Sequence, residues 1–420
     1  MRNGLLTCRH NSKNSVMRVR KWDGRSLVGV CPSRFEVHTI DLVPAPENAT
    51  VIQSLPSSSN ILSATIEKVA VEGSIKALVF ATTADRRVNV LDTPSFSLRS
   101  STTGLQDSPV LSSLVLREKY VILTSMSGQI VVADLAGNVL EKRRDHAKYV
   151  VNVKVIDNTD KPLLATAAWD NKVNIYSLST TNPPTLGEPI ATIHLPSKPE
   201  SILFLQHPES QEPILLVSRT DSTHLYYYTT ESEPRLLGRQ NLAPHSNAWV
   251  AFSPSSLAIC PSDPSLLACA TSAVPSMKLL IARMLIPPWD ETTTALPTVL
   301  RTSLLDDNPD ATETQASQAR VALLLADKEE AAIQIHCTTL SPQSAYSTPA
   351  VAWRPDGSGV WVNGDDGIVR GIEAASGKIV ATLKGHEPGS KVRCLWAGMV
   401  GEEEWLVSGG FDQKLLVWKV

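Results

Sequence analysis

Along most of the chain apolar residues come in short runs of alternating character, broken by turns rich in Asp, Gly or Ser. Lys76–Asp92 (KALVFATTADRRVNVLD), Tyr120–Leu135 (YVILTSMSGQIVVADL) and Pro162–Leu178 (PLLATAAWDNKVNIYSL) each read as strand, turn, strand. The two-residue period and the β-branched and aromatic content predict strands, and no long helical period competes with them. Eight such units begin near Val16, Ile61, Pro109, Val150, Glu200, Ser255, Pro349 and Lys391. One unit alone cannot bury both of its faces, whereas units stacked around an axis can. The pattern therefore predicts an all-β chain, a single β-propeller over 1–420, with eight blades, or seven if one N-terminal unit is an edge elaboration.

The sequence ends just after a third strand, LLVWKV, in the unit 390–420. Gly4–His10 (GLLTCRH) is the expected fourth strand, pairing the two chain ends and covering both open edges. One segment departs from the rhythm: 287–319 is polar and Pro-rich, with Asp306, Asp307, Asp310 and Glu313 close together. It reads as a solvated insertion in the sixth blade. Arg320–Thr339 after it reads as a β-hairpin of that blade or a short helix.

Composition narrows the class. With 42% hydrophobic and 19% charged residues over 420 positions, the chain has the makeup of a folded domain and not of a disordered one. The stretch from Met1 to Arg34 carries eight basic residues against Asp23 alone, so the remainder is acidic. That basic stretch reads as an organelle transit peptide or, from the alternation around Val16 and Leu27–Val30, as blade strands. No apolar run approaches the ~20 residues of a membrane span, and an intracellular protein, cytoplasmic or nuclear, is expected. The six cysteines, Cys8, Cys31, Cys260, Cys269, Cys337 and Cys394, contain no close pair and read as reduced core thiols. Asn48-Ala49-Thr50 matches a glycosylation sequon, without consequence if the chain is not secreted.

Chemistry-bearing residues recur at fixed offsets. Gly385-His386 is followed by Ser408, Asp412 and Trp418; Asp145-His146 is followed by Thr166, Asp170 and Tyr176, with the same six-residue step from Asp to the aromatic residue. Elsewhere the pattern decays: Asp85 is followed by Leu91, Asp221 by Tyr227, Asp366 by Ile372, and the third unit has Ser127 and Ala133 in those slots. These residues resemble the WD-repeat family, in rhythm over nearly the whole chain and in full side-chain chemistry over two units. The resemblance implies a buried network in each quartet: the carboxylate accepts from imidazole and backbone, and the hydroxyl bridges imidazole to aromatic. Such groups must occur together, because a buried carboxylate without donors is costly.

His146 and His386 are accordingly read as structural and not as parts of Ser-His-Asp catalytic sets. No nucleophile elbow, phosphate-binding loop or metal-binding helix motif is found. His207, His224 and His245 lack metal-ligand spacing. No catalytic, cofactor-binding or metal-binding residue is assigned. Trp22-Asp23-Gly24-Arg25 resembles an adaptor-docking box of some WD-repeat proteins, but its position suits a tight Asp-Gly turn, as at Asp356-Gly357.

The resemblance also implies that the loop before each first strand and the turn before each network Asp reach one face of the ring. That places Tyr149 and Trp169 there from the fourth unit, and Lys391, Arg393 and Phe411 from the last. Arg34, in the first unit, would join the last three beside Asp365, forming a basic, aromatic-bearing patch for an acidic peptide segment; aromatic and Arg side chains are common interface anchors. In an eight-membered ring Tyr149 and Trp169 would lie far from that patch. The expected function is a non-enzymatic scaffold or adaptor that binds other proteins. A propeller-fold hydrolase or lactonase working in the central channel is the first alternative, although no set of inward carboxylates can be assembled from the pattern. Nucleic-acid binding through the basic N-terminal edge is the second, and the acidic remainder opposes it.

Overall fold

The computed structural model describes residues 50–157, 161–246, 251–289 and 313–420, together with three strands nearer the N-terminus. Those three, Arg18–Lys21, Ser26–Cys31 and Arg34–Asp41, form an antiparallel meander. They belong to a separate compact unit, Met1–Asn48; the second unit is Ala49–Val420.

The second unit contains seven four-stranded antiparallel sheets, or blades. Blade 1 is Ile61–Val71, Ser74–Thr83, Val88–Asp92 and Leu98–Thr102; blade 2 is Val110–Leu116, Tyr120–Ser125, Gln129–Asp134 and Val139–Arg144. Blade 3 is Val150–Ile156, Leu163–Ala168, Lys172–Ser177 and Pro189–His194; blade 4 is Pro199–Gln206, Pro213–Arg219, His224–Thr229 and Leu236–Asn241. Blade 5 is Pro254–Ile259, Leu266–Thr271, Ser276–Arg283 and Ile333–Pro342; blade 6 is Val351–Trp353, Gly359–Val362, Ile368–Glu373 and Ile379–Lys384. Blade 7 is Val392–Val400, Glu403–Gly410, Lys414–Lys419 and, from the other end of the unit, Thr50–Pro56.

The core lies between blades. Second and third strands are the most buried, as in Leu163–Ala168, where every residue is buried. Apolar clusters then bridge neighbours: Val79 and Leu91 of blade 1 share one with Val407 and Val417 of blade 7, and Ile122 and Val132 of blade 2 share another with Leu164 and Tyr176 of blade 3. First strands of successive blades lie side by side, and that of blade 7 lies against that of blade 1.

Two expectations need correction. The propeller has seven blades and not eight, because the unit beginning near Val16 forms a three-stranded sheet of its own. Its strands have the rhythm of a blade, but its fourth, Thr50–Pro56, pairs with Lys414–Lys419 instead. That strand occupies the edge expected for Gly4–His10, which lies outside the described residues. The 287–319 insertion consequently falls in the fifth blade, between its third and fourth strands. Its described end begins a helix, Glu313–Ala332, followed directly by the strand Ile333–Pro342. The hairpin reading of Arg320–Thr339 fails because Ala, Leu, Glu and Lys, all strong helix formers, dominate 320–332.

Candidate functional site at the channel mouth

The quartet of blade 7 forms a closed network, and that of blade 3 is linked as far as its aromatic residue. In blade 7 the His386 Nδ1–H donates to Asp412 at 3.0 Å, while Ser408 Oγ accepts from Trp418 Nε1 at 2.9 Å and donates to His386 Nε2 at 2.8 Å. Asp412 also accepts from the backbone N–H of Glu387 at 3.0 Å. Burial raises the Asp412 carboxyl, but these bonds outweigh it and hold the group below its ordinary value. In blade 3 His146 bonds Asp170 at 3.1 Å and Thr166 at 2.8 Å. Tyr176 departs from the Trp pattern, its hydroxyl donating to Asp145 at 3.0 Å. Both nitrogens of each imidazole are committed, so neither ring is available as a base.

The accessible chemistry lies where first strands begin. In blades 1–5 and 7 a β-bulge follows the first residue of that strand, leaving one residue unpaired: Leu62, Leu111, Val151, Glu200, Ser255 and Arg393. A bulge re-aims its side chain out of the ladder. The resulting tier is apolar over blades 1–3 and polar over blades 4, 5 and 7. Glu200 and Arg393 stand three blades apart, and each feels the other's charge. Burial pushes the Glu200 carboxyl up to about 7, against the lowering effects of Ser255, Lys198 and Arg393. Burial likewise lowers Arg393, with Glu200 opposing it. Arg393 makes no hydrogen bond or close ion pair among the described residues.

Lys198 links this tier to the surface. Its ammonium lies 4.8 Å from the centre of the Trp169 ring, which stacks on Tyr149 with centroids 5.2 Å apart. Tyr149 is 40% exposed. The backbone N–H of Trp169 bonds the Tyr149 carbonyl at 2.9 Å, so the turn before the network Asp is tied to the loop before the first strand. Lys198 thus lies on the Trp169–Tyr149 pair and also bears, through its charge, on Glu200.

The patch expected around Arg34 divides. Lys391 pairs with Asp365 at 3.1 Å, and Phe411, 40% exposed, sits above it through a 2.9 Å backbone bond to the Lys391 carbonyl. Arg393 belongs with Glu200 in the channel and not with this pair. Arg34 opens a strand of the N-terminal unit, and the neighbour of blade 7 is the Ile61–Thr102 blade, so ring adjacency no longer joins it to the patch. Tyr149 and Trp169 stand on blade 3 and Arg393 on blade 7, and between them Glu200 feels the charges of both Lys198 and Arg393.

The strand pattern did not mark Glu200, Lys198, Glu67 or Lys154. Their signal was a charge inside an apolar first strand, as in PESILFLQ and VVNVKVI, where Lys154 alternates with valines. Among the described residues no group of three or more His, Cys, Asp or Glu is placed to hold a metal ion, and no helix is long and apolar enough to cross a membrane. The four described cysteines with resolved surroundings are free thiols, and burial pushes Cys394 up to about 12.

The model of one protein family, UCP007778, beta-propeller domain, matches residues 47–419, and the chain belongs to that family. The matched span begins beside Thr50, the first residue of the strand that completes blade 7. No curated protein matches the chain.

Proposed function

We propose that the propeller is a non-enzymatic scaffold that seats a segment of a partner protein, acidic at its tip, over the channel mouth in an intracellular complex. The observation that carries this reading is the Tyr149–Trp169–Lys198 platform, an exposed Tyr149 stacked on a half-buried Trp169 with a cation against it, near an Arg393 without a hydrogen bond among the described residues. Rings with few rotatable bonds supply contact area at small ordering cost, and a guanidinium gives a carboxylate a bidentate partner. A rigid ring of blades loses little entropy when it binds. The two networks of blades 3 and 7 support a WD-repeat-like relationship within the propeller class.

Affinity purification followed by mass spectrometry, with wild type, Tyr149→Ala/Trp169→Ala and Arg393→Gln, tests the reading. Both variants should lose a shared set of partners that Phe411→Ala retains. Identical partner sets in all four preparations would remove the mouth as the docking site.

A second reading is favoured by one observation. Glu67 and Glu200, on first strands of different blades, supply inward carboxylates, and Glu200 has the raised affinity for protons that suits a general base or acid. On that reading the channel hydrolyses a small ester or lactone. Turnover in a hydrolase substrate panel that disappears in Glu200→Gln would establish it, and no turnover would dismiss it.

A further inference from the structure

Below the bulge tier the channel has a second polar level. Val153 packs into the core shared by blades 2 and 3, so its neighbours Asn152 and Lys154 emerge together on the opposite face of the strand. Counted from the bulge, Thr65 of blade 1 stands at the level of Lys154, and Glu67 one step further. Thr65 Oγ1 donates to Glu67 Oε1 at 2.8 Å. Lys154 and Glu67 feel each other's charge across blade 2 without closing into an ion pair.

Three groups here are under-used. The Lys154 ammonium has three donors and no acceptor among the described residues. Asn152 Oδ1 is buried without a hydrogen-bond partner among the described residues. Among the described residues the second oxygen of Glu67 has no side-chain partner, since Thr65 bonds only the first. A half-buried cation without an acceptor and a buried carbonyl oxygen without a donor each cost free energy, and the pair asks for a ligand that brings both an anion and a donor.

We propose that this lower tier, built by Asn152, Lys154 and Glu67, binds a small carboxylic acid carrying an amino or hydroxyl group beside its carboxylate. The ligand carboxylate accepts from Lys154. The adjacent N–H or O–H donates to Asn152 Oδ1, with Glu67 balancing the charge of an amino group when one is present. A plain carboxylate satisfies only Lys154, and an amide only Asn152. The site is independent of the partner face, since it shares no residue with the Tyr149–Trp169 platform.

Isothermal titration of the full chain with L-alanine, L-lactate, propionate and L-alaninamide tests it. L-alanine or L-lactate should bind, propionate about tenfold more weakly for want of one hydrogen bond, and L-alaninamide not at all. Lys154→Met should abolish the heat, and Asn152→Leu should reduce L-alanine and L-lactate to the level of propionate. Asn152→Leu carries the test alone if Lys154→Met fails to fold. Tyr149→Ala/Trp169→Ala should bind these acids as wild type does, which separates this site from the partner reading. Absence of heat with both L-alanine and L-lactate, or binding unchanged in the folded variants, overturns the proposal.

Discussion

Blades 7 and 3 solve one problem with different residues. Each holds a His between a carboxylate and a hydroxyl, but blade 7 ends its third strand in Trp418 and blade 3 in Tyr176. The indole donates to Ser408, inside its own network. The phenol of Tyr176 donates instead to Asp145, the residue before the His. The residue before the His changes accordingly. A Cβ on Gly385 would come within 2.6 Å of the Trp418 ring, so blade 7 tolerates only glycine there. Blade 3 has room for Asp145, which receives the phenol and is itself held by Arg143 at 2.8 Å. Gly with Trp and Asp with Tyr are therefore coupled choices, and the wall of a blade is specified by pairs of positions and not by single ones.

The largest expected effect separates the two carboxylates. Asp412 has a fully buried side chain, whereas that of Asp170 is 8% exposed. Asp412→Ala leaves the buried His386 Nδ1–H without its acceptor and should cost about 3 kcal/mol; Asp170→Ala, whose side chain is partly reachable by solvent, should cost nearer about 2 kcal/mol. Urea midpoints of the two variants give the ranking, and a reversed order breaks the comparison.

A double-mutant cycle sharpens it. Gly385→Asp alone overpacks against Trp418, and Trp418→Tyr alone leaves a gap and an unbonded Ser408, each at about 2 kcal/mol. Together they recreate the blade 3 pairing, so the double variant should be at least about 1 kcal/mol more stable than the sum of the singles. Simple additivity would mean that the two choices are unrelated.

Acid should expose the blade 7 network next. Burial lowers the His386 imidazole below 6.5, outweighing the attraction of Asp412, and Asp412 itself lies below 3.8. Both folded values are depressed, so their stabilisation is present above the unfolded values and is lost as pH falls through the folded ones. Between pH 7 and 5 wild type should lose more stability than His386→Asn does. Parallel pH profiles for the two proteins would count against a neutral, buried imidazole.

Much of this was legible in the sequence, for reasons that differ between fold and site. Alternation is set residue by residue, so expected starts at Ile61, Val150 and Lys391 fall within a residue of the first strands of blades 1, 3 and 7. Membership of the ring is a packing property, which is why the strands near Val16, locally indistinguishable from a blade, led to a count of eight. Tyr149 and Trp169 were legible because the turn before a network Asp has a fixed place in the repeat. The charge coupling of Arg393 to Glu200 was not, because one unpaired residue in each strand redirects the side chain, and strand alternation carries no mark of a bulge.

The smallest expected effect concerns the turn that precedes each network Asp, where blades 3 and 7 again differ. Trp169 and Phe411 make the same 2.9 Å backbone bond to the loop before their first strands. Trp169 adds a stacked ring and a cation, while among the described residues no ring lies against Phe411 and the nearby Lys391 is engaged by Asp365. Removing a stacked aromatic costs about 1 kcal/mol beyond its area, whereas an unsupported surface ring contributes within about 0.5 kcal/mol. Trp169→Ala should therefore lower the urea midpoint measurably and Phe411→Ala should not. A ring held rigid by its neighbours is already in the conformation a partner would meet, so the same difference in stability predicts which of the two turns governs docking. Equal midpoints for the two variants would remove that preorganisation, and with it the reason for preferring blade 3 over blade 7 as the contact surface.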